Sequence, residues 1–384
     1  MDEKIKPTDE EGVVITKESH ILPKKRNWKK ILIISLLGVL LIVMFGRVLI
    51  YGALSLLFPD SATPNYTSLS LQTLNIPDAD NAYADYLLAS SSMPENSSVV
   101  SSEVNTEIED YMGGKTWDAQ KVASTVDAYS VSLTHYVDAS DRKVFQYPLF
   151  KKPEQISSTL PLPSFAPLRK ISRMSELRSL MLLKNGEIDK SISEAFVNVR
   201  MGSLLEQSPQ GNLVTYIVGA FIKDLGLTTL SVIAHDLRTD QVSKSRIVTT
   251  VTQYHDDGTG LITAFKVEYA FRKHNVLIDA GRTDTGTPVN NYLFRPNESL
   301  GYAVEDANSL ITRVSVSCAE FTSTTLKRKL SVDSGTTTNI IKLFITPNGI
   351  GKALFDASHA TFDSLFQKRC AEEAKISGLG SMAM

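Results

Sequence analysis

The chain has 384 residues, 42% hydrophobic and 21% charged, with 40 Lys and Arg against 42 Asp and Glu. That length is enough for one large domain or two ordinary ones with a substantial core. The near-balanced charge excludes a general nucleic-acid binder, which needs a basic face.

Residues 1–30 are polar, rich in Asp, Glu, Lys, Thr and Pro, and have the composition of a disordered tail. Residues 31–58 are apolar apart from Arg47. A bilayer core about 30 Å thick needs about 20 helical residues. The stretch "ILIISLLGVLLIVMFGRVLI", residues 31–50, supplies that length, and "YGALSLLF" is surplus beyond it. In this placement Arg47 sits within a turn of the far interface, where arginine snorkels. Trp28 and Tyr51 then fall in the two aromatic belts. Lys29 and Lys30 join Lys24, Lys25 and Arg26 on the near side with no acid among them, and no Lys or Arg occurs between Arg47 and Lys115. Basic residues stay cytoplasmic, so the expected topology is a single-pass signal anchor with its amino terminus inside and residues 60–384 outside.

Residues 59–80 hold Pro59, Pro64 and Pro77 among many Ser and Thr and read as a tether. "DADNAYADYLLAS" predicts a helix capped by Asp78 or Asp80. Residues 91–106 are Ser-rich and read as loop. Thr116 to Val137 reads as one helix, and residues 138–163, with four prolines, as irregular chain. Residues 81–163 thus form a small helical subdomain, and 164–384 the main domain. In the main domain, Phe165, Leu168, Ile171, Met174, Leu177 and Met181 step by three and four, an apolar stripe. Gly186 stops that helix, and Ile188, Ile192, Ala195, Phe196, Val199 and Leu204 make a second stripe, giving an antiparallel hairpin. "NLVTYIVGAFIKDLGLTTLSVIAHD" passes for a second span, but Lys223 and Asp224 interrupt it, and a buried central helix is expected. Further helices are expected near 241–255, 261–279, 302–318 and 350–376, while 336–346 has a strand-like composition. The expected fold class is mainly α, with little β: one transmembrane helix, then a helical-hairpin bundle or array.

"DNAYADYLLA", the hairpin "LRKISRMSELRSLMLLKNGEIDKSISEAFVNVRMGSLL", "LVTYIVGAFIKDLGLTTL", "YLFRPNESL" and "PNGIGKAL" together resemble an uncharacterised group of bacterial proteins. Its members have one amino-terminal membrane helix and a helical extracytoplasmic domain. The hairpin also resembles a tetratricopeptide unit, without that repeat's Trp and Pro positions. The resemblance implies the architecture and a bacterial cell membrane, and carries no activity.

Candidate chemistry is sparse. Asp284-Thr285-Gly286 and Asp333-Ser334-Gly335 have the form of aspartic-protease triplets but equally of ordinary turns. His255 and Asp256 in "YHDDG" are the candidate metal ligands, set against a plain polar helix end before Gly258. Cys318 and Cys370 either pair across a loop of about 50 residues, outside the cytoplasm, or are two small buried apolar residues. No cofactor motif is present. The expected function is a membrane-anchored module at the cell envelope that binds a protein or peptide partner or acts as a scaffold. The alternative is an envelope hydrolase or metal-dependent enzyme.

Overall fold

The computed structural model describes residues 28–94, 97–150, 156, 160, 161, 163–236, 238–279, 294–321, 348 and 362–381. The tail before residue 28, both protease-like triplets and the strand-like segment 336–346 lie outside the described residues. The fold is mainly α. Among the described residues β-structure amounts to a single bridge between Asn81 and Val144. The chain divides into two compact units, Met1–Ala53 and Leu54–Met384.

The first unit is described through helix α1, which runs Trp28–Leu57 and takes in the expected span and its surplus. Trp28, Lys29, Lys30, Arg47 and Tyr51 all lie on it. Its apolar side chains are open: Leu32 is 65% exposed, Ile34 68% and Leu49 71%. A soluble domain buries such a face against another element.

The second unit is built from α2 (Tyr83–Ser91), α3 (Ser97–Met112), α4 (Ala119–Ala128), α5 (Ser130–Ser140), α6 (Ala166–Lys184), α7 (Ile188–Glu206), α8 (Leu213–His235), α9 (Gln241–Val251), α10 (Thr259–Asp279), α11 (Pro296–Val314), the short α12 (Cys318–Phe321) and α13 (Asp363–Ser381). The α6–α7 hairpin forms where the two stripes placed it. Gly186, at φ +81°, makes the turn, and the amides of Gly186 and Glu187 close it on the carbonyls of Leu183 and Leu182. A positive φ of that size favours glycine.

α8 is long and apolar enough to cross a membrane by length and composition, yet 61% of its most apolar window is buried in the unit. It is the central helix. α7 crosses it at backbone distance along a glycine seam. A Cβ on Gly219 would stand 2.7 Å from the backbone nitrogen of Glu206 and 2.7 Å from the carbonyl oxygen of Gly202. One on Gly202 would stand 2.5 Å from the backbone nitrogen of Lys223. Backbone cannot yield as a side chain can, so the helices would have to separate. Gly219→Ala should therefore cost about 1–3 kcal/mol through overpacking, although alanine is the better helix former by about 1 kcal/mol. Gly301, in α11 with nothing within 4 Å of its would-be Cβ, supplies the control. Gly301→Ala should be neutral or stabilising, and urea unfolding of both variants checks the pair.

Four expectations need correction. Residues 91–106 are not loop, because α3 occupies most of them. Its serines are weak helix formers, but Val104 and Ile108 are 3% and 4% exposed in a shared apolar cluster, and burial of that kind overrides propensity. The helix expected from Thr116 to Val137 is two helices that meet at the buried Tyr129 (φ −102°, ψ 8°), with neither Gly nor Pro at the break to announce it. Residues 59–80 are docked, not a free tether. Asp60 accepts from the amides of Asn297 (2.8 Å) and Glu298 (3.0 Å), capping α11 from across the sequence. Arg295 donates to the carbonyl of Phe58, and Leu69 is 2% exposed beside Tyr269. The core also ignores the boundary expected at 163/164. Tyr86, Val122, Leu133, Tyr136 and Phe145 share one cluster with Leu168, Ile171 and Leu177 of α6.

Candidate functional site

The chemistry of the second unit concentrates where α13 lies over α7 and α8. α13 is anchored at both ends by apolar side chains. Leu365 and Phe366 join Phe265, Leu310 and Val314, and Ile376 and Leu379 join Leu227, Leu230 and Ile247. Between those anchors, on the same helical face, Arg369 and Glu372 point inward where further apolar residues would continue the stripe.

Glu372 meets Lys223 of α8, and Lys223 Nζ also donates to Glu206 Oε2 of α7 at 2.9 Å. The Lys223 side chain is 0% exposed, that of Glu206 1% and that of Glu372 7%. About two turns of α8 before Lys223, the hydroxyl of Tyr216 donates to Asp256 Oδ2 at 2.7 Å. Asp256 Oδ1 accepts from the amide of Gly258 at 2.8 Å, and Arg369 Nε stands 3.9 Å from Asp256 Oδ2. Arg369 also donates to the carbonyl of Val314 at 2.6 Å and pairs with Glu373 at 3.3 Å.

The electrostatics follow from burial. Desolvation pushes Glu206 well above the ordinary glutamate range; Lys223 pulls it down, and Glu372 and Asp256 push it up again. Glu372 is likewise raised by burial against the pull of Lys223. Burial alone would depress Lys223, but the two carboxyls prevail and raise it. Burial and the Asp256 carboxyl push the Tyr216 hydroxyl far above its usual range. Lys223 is thus held cationic, which suits a structural counter-ion and not a nucleophile.

The covalent staple sits beside this cluster. Cys318 of α12 and Cys370 of α13 form a disulfide, with their Cα atoms 5.3 Å apart. The two cysteines are thus paired, and the bond fixes α13 two residues before Glu372.

His255 and Asp256 part company. His255 is exposed, whereas Asp256 is 3% exposed and engaged by Tyr216 and Gly258. Among the described residues no group of three His, Cys, Asp or Glu side chains is placed to hold a metal ion. Lys223 was visible in the sequence, but as an interruption of an apolar helix; its burial and its two glutamate partners were missed. The available signal was the inward spacing of α13, where Leu365, Arg369, Glu372, Ile376 and Leu379 recur at three and four.

The unit also carries a surface cleft of 410 Å³ at the tips of its hairpins. It is lined by Gly186, Glu187, Asp189, Lys190, Arg238 and Asp240 among others. Arg238 reaches across it from the α8–α9 turn to the carbonyl of Leu183 at 2.8 Å. Asp189 and Lys190 stay open to solvent, with side chains 78% and 73% exposed. No known protein family matches the chain, and no curated protein or solved structure is detectably similar to it.

Proposed function

We propose that the chain is a single-pass bacterial cell-membrane protein, anchored by α1 with its amino terminus cytoplasmic, whose helical unit is an extracytoplasmic module that binds a protein or peptide partner. The observation that carries this reading is the pairing of an exposed apolar helix of 30 residues with a self-contained unit closed by a disulfide. The helix contains the roughly 20 apolar residues that cross a bilayer core, with length to spare. A disulfide persists outside the reducing cytoplasm, on the side that the basic flank of α1 assigns to the unit.

The charged cluster under α13 is sealed, so recognition falls to the surface. The cleft at the hairpin tips supports this: its charged walls suit a polar segment of a partner protein. The enzyme alternative has less behind it, since the metal reading needed a third ligand to converge on His255 and Asp256.

Crosslinking in intact membranes followed by pull-down of the full chain tests the reading. Partners captured by the wild type should be lost when Asp189→Lys and Lys190→Glu are combined, while the chain stays in the carbonate-washed membrane fraction. Capture of the same partners by that variant would remove the cleft from the proposal. Recovery of the wild type in the soluble fraction would remove the anchor.

A further inference from the structure

The groups facing one another beneath α13 are unequal in charge. α7 supplies Glu206, α8 supplies Lys223 and the Tyr216 hydroxyl, the α9–α10 turn supplies Asp256, and α13 supplies Arg369, Glu372 and the more exposed Glu373. Setting aside Glu373, three buried carboxyls face two cations. Arg369 is shared with Glu373 and the carbonyl of Val314, so it does not belong to the triad. Within the triad one ammonium serves two glutamates. Glu206 Oε2 takes Lys223, but Glu206 Oε1 is buried with no donor, and Glu372 is brought beside it by the same ammonium. Two carboxyls form a hydrogen bond only through a proton. An uncompensated buried negative charge and an unsatisfied buried oxygen are both costly, and one proton removes both.

We propose that Glu206 and Glu372 hold a single proton between them, and that this proton site latches the carboxy-terminal half of α13 onto α7 and α8. The raised affinity of both carboxyls for protons agrees with it. The placement of the disulfide decides what moves when the proton leaves. Cys370 holds α13 to α12 two residues before Glu372, so the first half of the helix stays put. Beyond Cys370 the helix has no covalent tie, and its polar hold on α8 besides Glu372 is the solvent-facing Lys375, which meets Asp224 and Thr228. Once the proton leaves, this half swings, carrying Glu372 towards water and lifting Ile376 and Leu379 from Leu230, Ile247 and Val251. Deprotonation thus uncovers an apolar seat on α8 and α9, and the envelope side of a membrane is where ambient pH reaches such a site directly.

The direction with pH is fixed. A carboxyl with a raised pKa in the folded state binds more protons folded than unfolded, so the latch is complete at and below the ordinary glutamate range and is lost as pH rises through the shifted value. The test is hydrogen exchange of the full chain in detergent micelles, read by mass spectrometry on peptides covering residues 371–381, from about pH 5 to about pH 9, the range in which shifted buried carboxyls titrate. Glu206→Gln, a neutral mimic of the protonated state, is the reference at each pH, because intrinsic exchange cancels in the ratio. The wild-type to variant ratio should stay near one at low pH and then climb by up to about tenfold per pH unit, as one-proton linkage requires. A ratio that is flat across the range overturns the proposal. If Glu206→Gln does not fold, Glu372→Gln takes its place. Calorimetric refolding at neutral pH, in two buffers of different ionisation heat, should show the wild type taking up about one proton more than Glu206→Gln; equal uptake by the two overturns the proposal independently.

Discussion

Lys223→Met is expected to destabilise the second unit by about 3–5 kcal/mol, the range for removing one partner of a buried ion pair. Methionine fills much the same space, so lost packing is a small part of the effect. What remains is two glutamates, 1% and 7% exposed, with no counter-ion. Each must carry buried charge or take up a proton, and both routes lower stability at neutral pH. The cost should therefore grow from about pH 5 to about pH 8, because protonation is easy at the lower value. The combined variant Glu206→Leu, Lys223→Met, Glu372→Leu separates this from mere disruption. A buried triad exchanged as a whole for apolar residues is often neutral or stabilising, so the triple variant should recover most of the loss. Urea unfolding of the full chain in micelles, compared at both pH values, gives the answer. Equal losses in the single and triple variants would show that the packing of Lys223, and not its charge, matters.

Such a cluster is hard to read from one sequence, because its parts are ordinary in isolation. Glu206 ends an amphipathic helix, Lys223 breaks an apolar one, and Glu372 lies in a charged carboxy-terminal segment. Only the packing of α13 brings them together. The helices themselves were legible where the apolar period ran unbroken, as in α6, α7 and α8. They were not where burial worked against composition, as in α3, or where a break fell at Tyr129 among ordinary helix-forming residues. The stretch from Pro59 to Asp80 shows the same limit. Its Pro, Ser and Thr content is that of a linker, yet Asp60 and Leu69 find partners on α11 and α10 that no local pattern announces.

Single residues in the stretches that resembled a bacterial group have structural partners among the described residues. Asn81 ties the start of α2 to Gln146 through both its side-chain atoms, at 3.0 and 2.9 Å. Gly219 permits the α7–α8 crossing. Asn348, at φ +54°, accepts from the amide of Arg295 at 2.8 Å and so joins the "PNGIGKAL" and "RPNES" stretches. Residues that fix a fold leave marks as plain as those of a catalytic site.

Loss of the disulfide should be the other large effect. Cys318 and Cys370 are 52 residues apart, and on the chain-entropy account closing a loop of that length restricts the unfolded state by about 4 kcal/mol, with 2–4 kcal/mol typical of measured cases. The double variant Cys318→Ser, Cys370→Ser should lose that much in urea unfolding, and the wild type in excess reductant should lose a similar amount. The loss should leave the native contacts of α13 largely intact, because Leu365, Phe366, Ile376 and Leu379 are buried in apolar clusters of their own. The α13 amides beyond Cys370 should thus be protected in the variant at low pH, where the Glu206–Glu372 proton is in place, and should open at a lower pH than in the wild type, since the staple no longer confines the movement. Were α13 unprotected at every pH once the bond was gone, the disulfide would be what seats the helix, and the buried charges would merely tolerate it.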